Sequence, residues 1–397
     1  MLGWMALRAV MQAVMVVILA RMLGAGAYGQ LVAVIAAASF LSPFVGLGLS
    51  NMVLRNAARD PAHGHVYFMR ALGWWKWTLL PCVVVAVAVA MVLLPADLPV
   101  LAAGAAIAVE VAVTSMTELL SRYRQAQQNM LAYGAINAGL PFFRLVLLVL
   151  LFAFVRDVAV VMVFWAYAAT GLSYMLLLAY VVPARDGRDM DAADATEPMK
   201  AASGMPFSLA AFTTRLQAEF NKPVLAQLGF GLVGSYNAAQ RAMDIVSLPL
   251  LAMQEALWPR LYAQADPLRQ LRRSGTALLA IALILGGGIW LMAPMLPRML
   301  GESFADTVEV LRWLAWLPVL QMLRSLLNFH AIHHGKMLRI GWVYSLGAAV
   351  NIVLVAVLVT RWGMRGAAMC AYLAELVMIM ALVATCLRNH HDARNRP

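Results

Sequence analysis

Arg215, Glu219 and Lys222 stand at i, i+4 and i+7 within an apolar stretch, a spacing that places all three on one face of a helix. An ionisable side chain at the centre of a membrane helix costs roughly 2.5–3.5 kcal/mol on insertion scales, so it faces a wet cavity or a partner. Two readings of the stripe stay open. It is a self-neutralising ion pair facing neighbouring helices, or it is a cavity wall where one carboxylate against two cations leaves a net positive site for an anion. Arg241 has Asp244 three residues later as a local partner. Arg144 has no acid within a helical turn, and Pro141 before it frees a carbonyl and permits a kink, so it is the stronger candidate for an unpaired contact. Arg324 also lacks a local acid, so it is either a second unpaired contact or snorkels inward past the end of its helix. Arg144, Arg215, Lys222, Arg241 and Arg324 are therefore the candidate binding cations.

The buried acids offer a second chemistry. Glu110, Glu118, Glu219, Asp244, Glu255 and Glu375 could each take up a proton or sodium ion, which changes the cost of exposing the group to either side of a membrane. For each taken singly, pairing with a nearby arginine is the simpler account. No nucleophile–base pair, nucleotide motif, cofactor motif or metal spacing occurs, and Cys82, Cys370 and Cys386 all fall inside apolar runs. No catalytic residue is assigned.

These residues must be carried by membrane helices. The 397-residue chain is 63% hydrophobic and 12% charged, with a mean hydropathy of +0.78, where a soluble domain carries about a quarter charged residues. About twelve runs approach the ~20 apolar residues needed to span a bilayer. They lie near 2–20, 28–54, 72–95, 99–120, 131–154, 158–182, 206–230, 232–258, 274–296, 304–332, 338–360 and 366–387. At ~1.5 Å per residue, Arg215 lies about 15 Å into the seventh run and Arg144 about 20 Å into the fifth. The first run lacks a basic leader and a cleavage site, which reads as a retained span.

With the N-terminus in the cytoplasm, inner loops hold Arg55, Arg59, Arg122, Arg124, Arg185, Arg188, Arg260, Arg272 and Arg273 among others. Outer loops hold only Arg21, Arg156, Arg298, Arg361 and Arg365. The better than threefold bias predicts both termini inside, and the net charge of +11 is mostly this topology signal. The basic residues form no patch beside aromatics, which argues against a nucleic-acid partner.

The polar segment near 183–206 reads as a cytoplasmic linker. It divides the chain into a six-helix bundle over 1–183, a linker over 184–205, a second bundle over 206–387 and a tail over 388–397. An echo supports the division: "ARMLGAGAYG" recurs in degraded form as "AQLGFGLVGSYNAAQ". Each has Leu-Gly at a helix end and then a tyrosine, Tyr28 or Tyr236. Glycine accepts the left-handed turn, and the tyrosine ring is expected at headgroup level.

These residues carry a resemblance. "ARMLGAGAYG" followed by "GLGLSNMVLRNAAR" resembles the start of the polysaccharide flippases of the multidrug/oligosaccharidyl-lipid/polysaccharide exporter superfamily. "GSYNAAQRAMDIVSLPLLAMQEALWPRL" is similar to their eighth-helix region, and the last helices share a turn at Gly363, Gly366, Ala367 and Ala368. The resemblance implies an all-α membrane protein with two six-helix bundles related by a pseudo-two-fold axis, forming a V around a central cavity. It also implies the cargo, a polyprenyl-pyrophosphate-linked oligosaccharide of O-antigen or exopolysaccharide type, flipped to the outer leaflet of the inner membrane. The five cations would then receive the pyrophosphate, since arginine offers phosphate a planar fork of donors. The lipid bilayer is a second partner, and a polysaccharide polymerase with its chain-length machinery stands as a further one. A cation-coupled multidrug exporter of the same fold is the alternative, although its cavity would favour acids. A membrane polymerase or ligase fits less well, because every outer loop is short.

Overall fold

The computed structural model describes residues 2–181, 199–262, 267–333 and 337–394. The expected linker falls largely on 182–198, outside the described residues, as do Met1, the last three residues and the side chain of Glu255. Two compact units divide at Val233/Gly234.

The first unit begins with α1 (Leu2–Leu41), which is two helices joined at Gly24, where φ 70° and ψ 175° interrupt the helix. A short turn leads to α2 (Leu49–Arg59), followed by α3 (Gly64–Leu93), α4 (Val100–Ala126), α5 (Met130–Phe154) and α6 (Val160–Val181). After the undescribed segment come α7 (Ala201–Glu219) and α8 (Asn221–Ala226), which pack on α1 and on each other, α7 also on α2. Their polar stripe crosses a one-residue interruption at Phe220, whose αR dihedrals keep Lys222 in helical register. At the centre of this unit α4 packs against α1, α2, α3, α5 and α6. Its small residues Ala102, Ala103 and Ala106 are buried and let those neighbours approach.

The second unit opens within α9 (Phe230–Tyr262) and continues through α10 (Pro267–Met292), the short α11 (Leu296–Leu300), α12 (Thr307–Leu314), α13 (Leu317–His333), α14 (Met337–Leu354) and α15 (Thr360–Arg394). A π-helical turn, Val355–Val359, joins the last two. Leu250, Leu278, Met322 and Phe329 belong to a core formed by α9, α10 and α13. The turn motif over 363–368 has a mechanical reason. Gly363 takes φ 53°, and a Cβ on Gly366 would lie 2.1 Å from the Leu358 carbonyl oxygen.

Eight stretches among the described residues are long and apolar enough to cross a membrane. Two of these, Ala6–Phe44 and Arg339–Thr385, contain the interruptions at Gly24 and Gly363. Runs 206–230 and 232–258 do not meet that measure, because charged and polar residues interrupt them. The expected continuous span over 28–54 is broken as well. Gly46, Leu47 and Gly48 all take positive φ, so the chain unwinds between α1 and α2. The two repeated tyrosines also depart from expectation. Tyr28 and Tyr236 are 2% and 3% exposed, so their rings fill helix-packing space rather than a headgroup belt.

Candidate functional site

Charged side chains within the helices fall into two groups, locked and available. Arg144, placed by α5, is 8% exposed and donates to both oxygens of Glu110 on α4. Its guanidinium also sits 4.3 Å from the centre of the Tyr167 ring of α6. The expectation that Arg144 is unpaired is corrected here: its acid comes from another helix, 34 residues away in sequence. Low-dielectric burial makes such a pair stable only with good geometry and extra hydrogen bonds. Thr114 supplies one more donor to Glu110, at 3.4 Å.

Arg324 is locked in the same way. Its Nε donates to Glu375 Oε2 at 2.6 Å, and its terminal nitrogen donates to the Tyr344 hydroxyl at 2.5 Å. Snorkelling is therefore not needed to explain its depth. Lys222, 1% exposed, pairs with Glu219. That bond takes up the carboxylate that a simple i, i+4 reading gives to Arg215.

Of the five candidate cations, Arg215 and Arg241 are the available ones. Arg215 is exposed and makes no ion pair among the described residues. Arg241 is 42% exposed at its side chain and approaches Asp244 only to 3.9 Å, a contact worth little at such exposure. Arg215 belongs to the first unit and Arg241 to the second.

Glu118, on α4, faces the unwound segment between α1 and α2. It accepts from Ser50 Oγ at 3.5 Å and lines a small cavity of about 20 Å³ with Ser42, Ser115 and Trp75, room for about one water. Ser115 is held by Trp75 Nε1, 2.9 Å away. The unwound segment is seated on α7, where Ser208 Oγ donates to the Pro43 carbonyl at 2.7 Å.

Where α2 meets α3, His63 Nδ1 lies 2.8 Å from Asp60 Oδ2, and the Tyr67 hydroxyl donates to the same oxygen. Desolvation would raise the Asp60 carboxyl, but hydrogen bonds from His63 and Tyr67 and the His63 charge outweigh it and hold the group below its ordinary value. Stability from this depressed acid is present above the unfolded carboxyl range and lost as pH falls through the folded value. Melting curves across acid pH should therefore show wild type losing an advantage over Asp60→Asn. An equal gap at every pH would refute this role.

The sequence reading missed Tyr167 and Tyr344, which position the two locked arginines, and the amides of Gln254 and Asn328 in the second unit. The only local signal for them is a polar atom in an apolar run.

Apolar helices of spanning length, folded around intramembrane ion pairs, define a multi-pass membrane protein. A family model described as polysaccharide biosynthesis protein matches residues 5–264, and the chain belongs to that family. Among solved structures, the lipid II flippase MurJ in an inward closed conformation has a TM-score of 0.72 at 12% identity, covering 96% of this chain and 85% of that one. An inward-facing multidrug resistance MATE family transporter of the MOP superfamily has a TM-score of 0.67 at 16% identity, covering 98% and 96%. Its outward-facing counterpart has 0.59 at 17% identity, covering 100% and 94%. These likenesses establish a shared fold. No curated protein matches the chain in sequence.

Proposed function

We propose that the protein flips a polyprenyl-pyrophosphate-linked oligosaccharide, an O-antigen or exopolysaccharide repeat unit, from the cytoplasmic to the outer leaflet of the inner membrane by alternating access. The carrying observation is membership of the polysaccharide biosynthesis family over 5–264 on a fold shared with a lipid II flippase. Both termini are placed in the cytoplasm on the lysine and arginine bias. The expected layout of twelve spans in two halves, divided at the 184–205 linker, would suit this reading.

Ion pairing narrows the roles of the candidate residues. Arg144, Lys222 and Arg324 are neutralised by Glu110, Glu219 and Glu375, so they shape the site and its field more than they hold free anion charge. Arg215 is the principal pyrophosphate contact in the first unit, and Arg241 is a weaker candidate in the second. Of the acids, Glu118 is the best coupling candidate, because no arginine or lysine pairs with it among the described residues.

A charged hydrogen bond is worth ~1.5–3 kcal/mol, roughly ten- to a hundredfold in rate or affinity. Arg215→Gln should slow flipping in vesicles by about that factor, with Arg215→Lys retaining part of it. Wild-type flipping by Arg215→Gln protein that reaches the membrane would remove Arg215 from the site. The reading itself is tested by mass spectrometry of a deletion strain, which should accumulate lipid-linked sugar. Unchanged lipid-linked sugar with new sensitivity to cationic drugs would favour the second reading, a multidrug exporter, which the MATE fold likeness supports.

A further inference from the structure

The second unit holds a cavity of about 680 Å³ between α9, α13 and α14, within the size range of small-molecule sites. Its polar lining is mostly uncharged: Ser247, Gln254, Gln321, Ser325, Asn328 and Tyr344. The two charged groups in the lining each have an opposite charge nearby: Arg324 pairs with Glu375 at 2.6 Å, and Asp244 lies 3.9 Å from Arg241.

Each of four polar groups has hydrogen-bonding capacity left after its fixed contacts are counted. Gln254 Nε2 donates to Ser325 Oγ at 2.5 Å, which leaves the amide oxygen of Gln254 as an acceptor and the Ser325 hydroxyl as a donor. The Tyr344 oxygen accepts from Arg324, so its own O–H remains to donate. Asn328 Oδ1 is buried without a hydrogen-bond partner. A buried acceptor left unmade is costly and calls for an occupant that donates.

Two donors and two acceptors therefore share one lining on fixed side chains, with Phe329 beside them. A phosphate offers only acceptors and would leave the two carbonyl oxygens unmet. A cationic amine could donate to the two amide oxygens and meet Asp244, but it would leave the Ser325 and Tyr344 hydroxyls without an acceptor. Adjacent sugar hydroxyls, each a donor and an acceptor, match the set, and the ring's C–H face can lie on the aromatic side chain.

We infer that this cavity binds sugar rings of the cargo, with Gln254, Ser325, Asn328 and Tyr344 reading hydroxyl groups. The inference rests on the flippase reading and assigns sugar recognition to the second unit, apart from the pyrophosphate contact at Arg215.

The test uses full-length protein in nanodiscs and two probes: lipid-linked oligosaccharide extracted from the deletion strain, and bare polyprenyl pyrophosphate. Wild type should bind the sugar-bearing lipid at least tenfold more tightly. Gln254→Met with Asn328→Leu removes two hydrogen bonds at nearly constant volume. It should weaken sugar-lipid binding ~30–100-fold, at about tenfold per bond, and shift binding of the bare lipid less than about twofold. Should that pair fail to fold, Ser325→Ala carries the same comparison, with a loss of about tenfold. Equal loss for both lipids, or no loss for either, overturns the inference; the cavity then serves the fold or holds water. Wild type that binds neither lipid overturns the flippase reading itself, and the sugar assignment with it.

Discussion

Arg144→Leu is expected to lower stability by about 3–5 kcal/mol, because it strands Glu110 in the interior without its counter-charge. The guanidinium is 8% exposed, stacked on Tyr167 and bonded to both carboxylate oxygens, so water cannot replace it. The double variant Arg144→Leu/Glu110→Leu should recover most of that loss, since well-packed apolar pairs commonly match a buried ion pair. Thermal unfolding in detergent gives the stability comparison and vesicle flipping gives the functional one. If Arg144 acts by holding α4, α5 and α6 in place, flipping returns with stability in the double variant. If it contacts cargo directly, stability returns and flipping stays lost. The same cycle on Arg324 and Glu375 has the added partner Tyr344, whose hydroxyl keeps a bond to the guanidinium when the acid is removed.

Gly48→Ala should prevent the first unit from reaching its packed state. A Cβ there would lie 2.4 Å from the Gly204 carbonyl oxygen and 2.8 Å from the Ser208 nitrogen, both backbone atoms of α7. The residue also takes φ 70°, which costs a non-glycine residue roughly 1–2 kcal/mol on its own. With over-packing at ~1–3 kcal/mol, the total is about 2–5 kcal/mol, a large share of a domain's stability of ~5–15 kcal/mol. Gly204→Ala approaches the same contact from the other side, where its Cβ would meet the Leu47 carbonyl oxygen at 2.2 Å. Gly26→Ala is the control, since nothing lies within 4 Å of its added carbon. Membrane yield and monodispersity on gel filtration should fall for the first two and hold for the third. Normal yield of Gly48→Ala would show that α2 and α7 can separate without loss, against the tight seating seen here.

These two cases mark how far the linear chain could be read. Membrane class, the helix interruptions at Gly24 and Gly363 and the polar stripe at Arg215, Glu219 and Lys222 depend on neighbours a few residues apart. Hydropathy, glycine's left-handed freedom and the 3.6-residue period are all local, so the sequence by itself determined them. The stripe put Glu219 within reach of both Arg215 and Lys222, but the period alone did not say which cation would take the acid. Burial decided that: Lys222 is 1% exposed, while Arg215 stays at the surface.

Only the tertiary structure decided the partners of Arg144 and Arg324, which lie 34 and 51 residues away on other helices. It also decided that Tyr28 and Tyr236 face protein, that the chain unwinds at 46–48 against α7, and that scattered amides of α9 and α13 line one cavity. The physical reason is common to all of these. A lone charge or amide in an apolar run states a cost that something must offset. Which group offsets it depends on helix rotation and packing, and those arise from many weak contacts distributed over the whole unit.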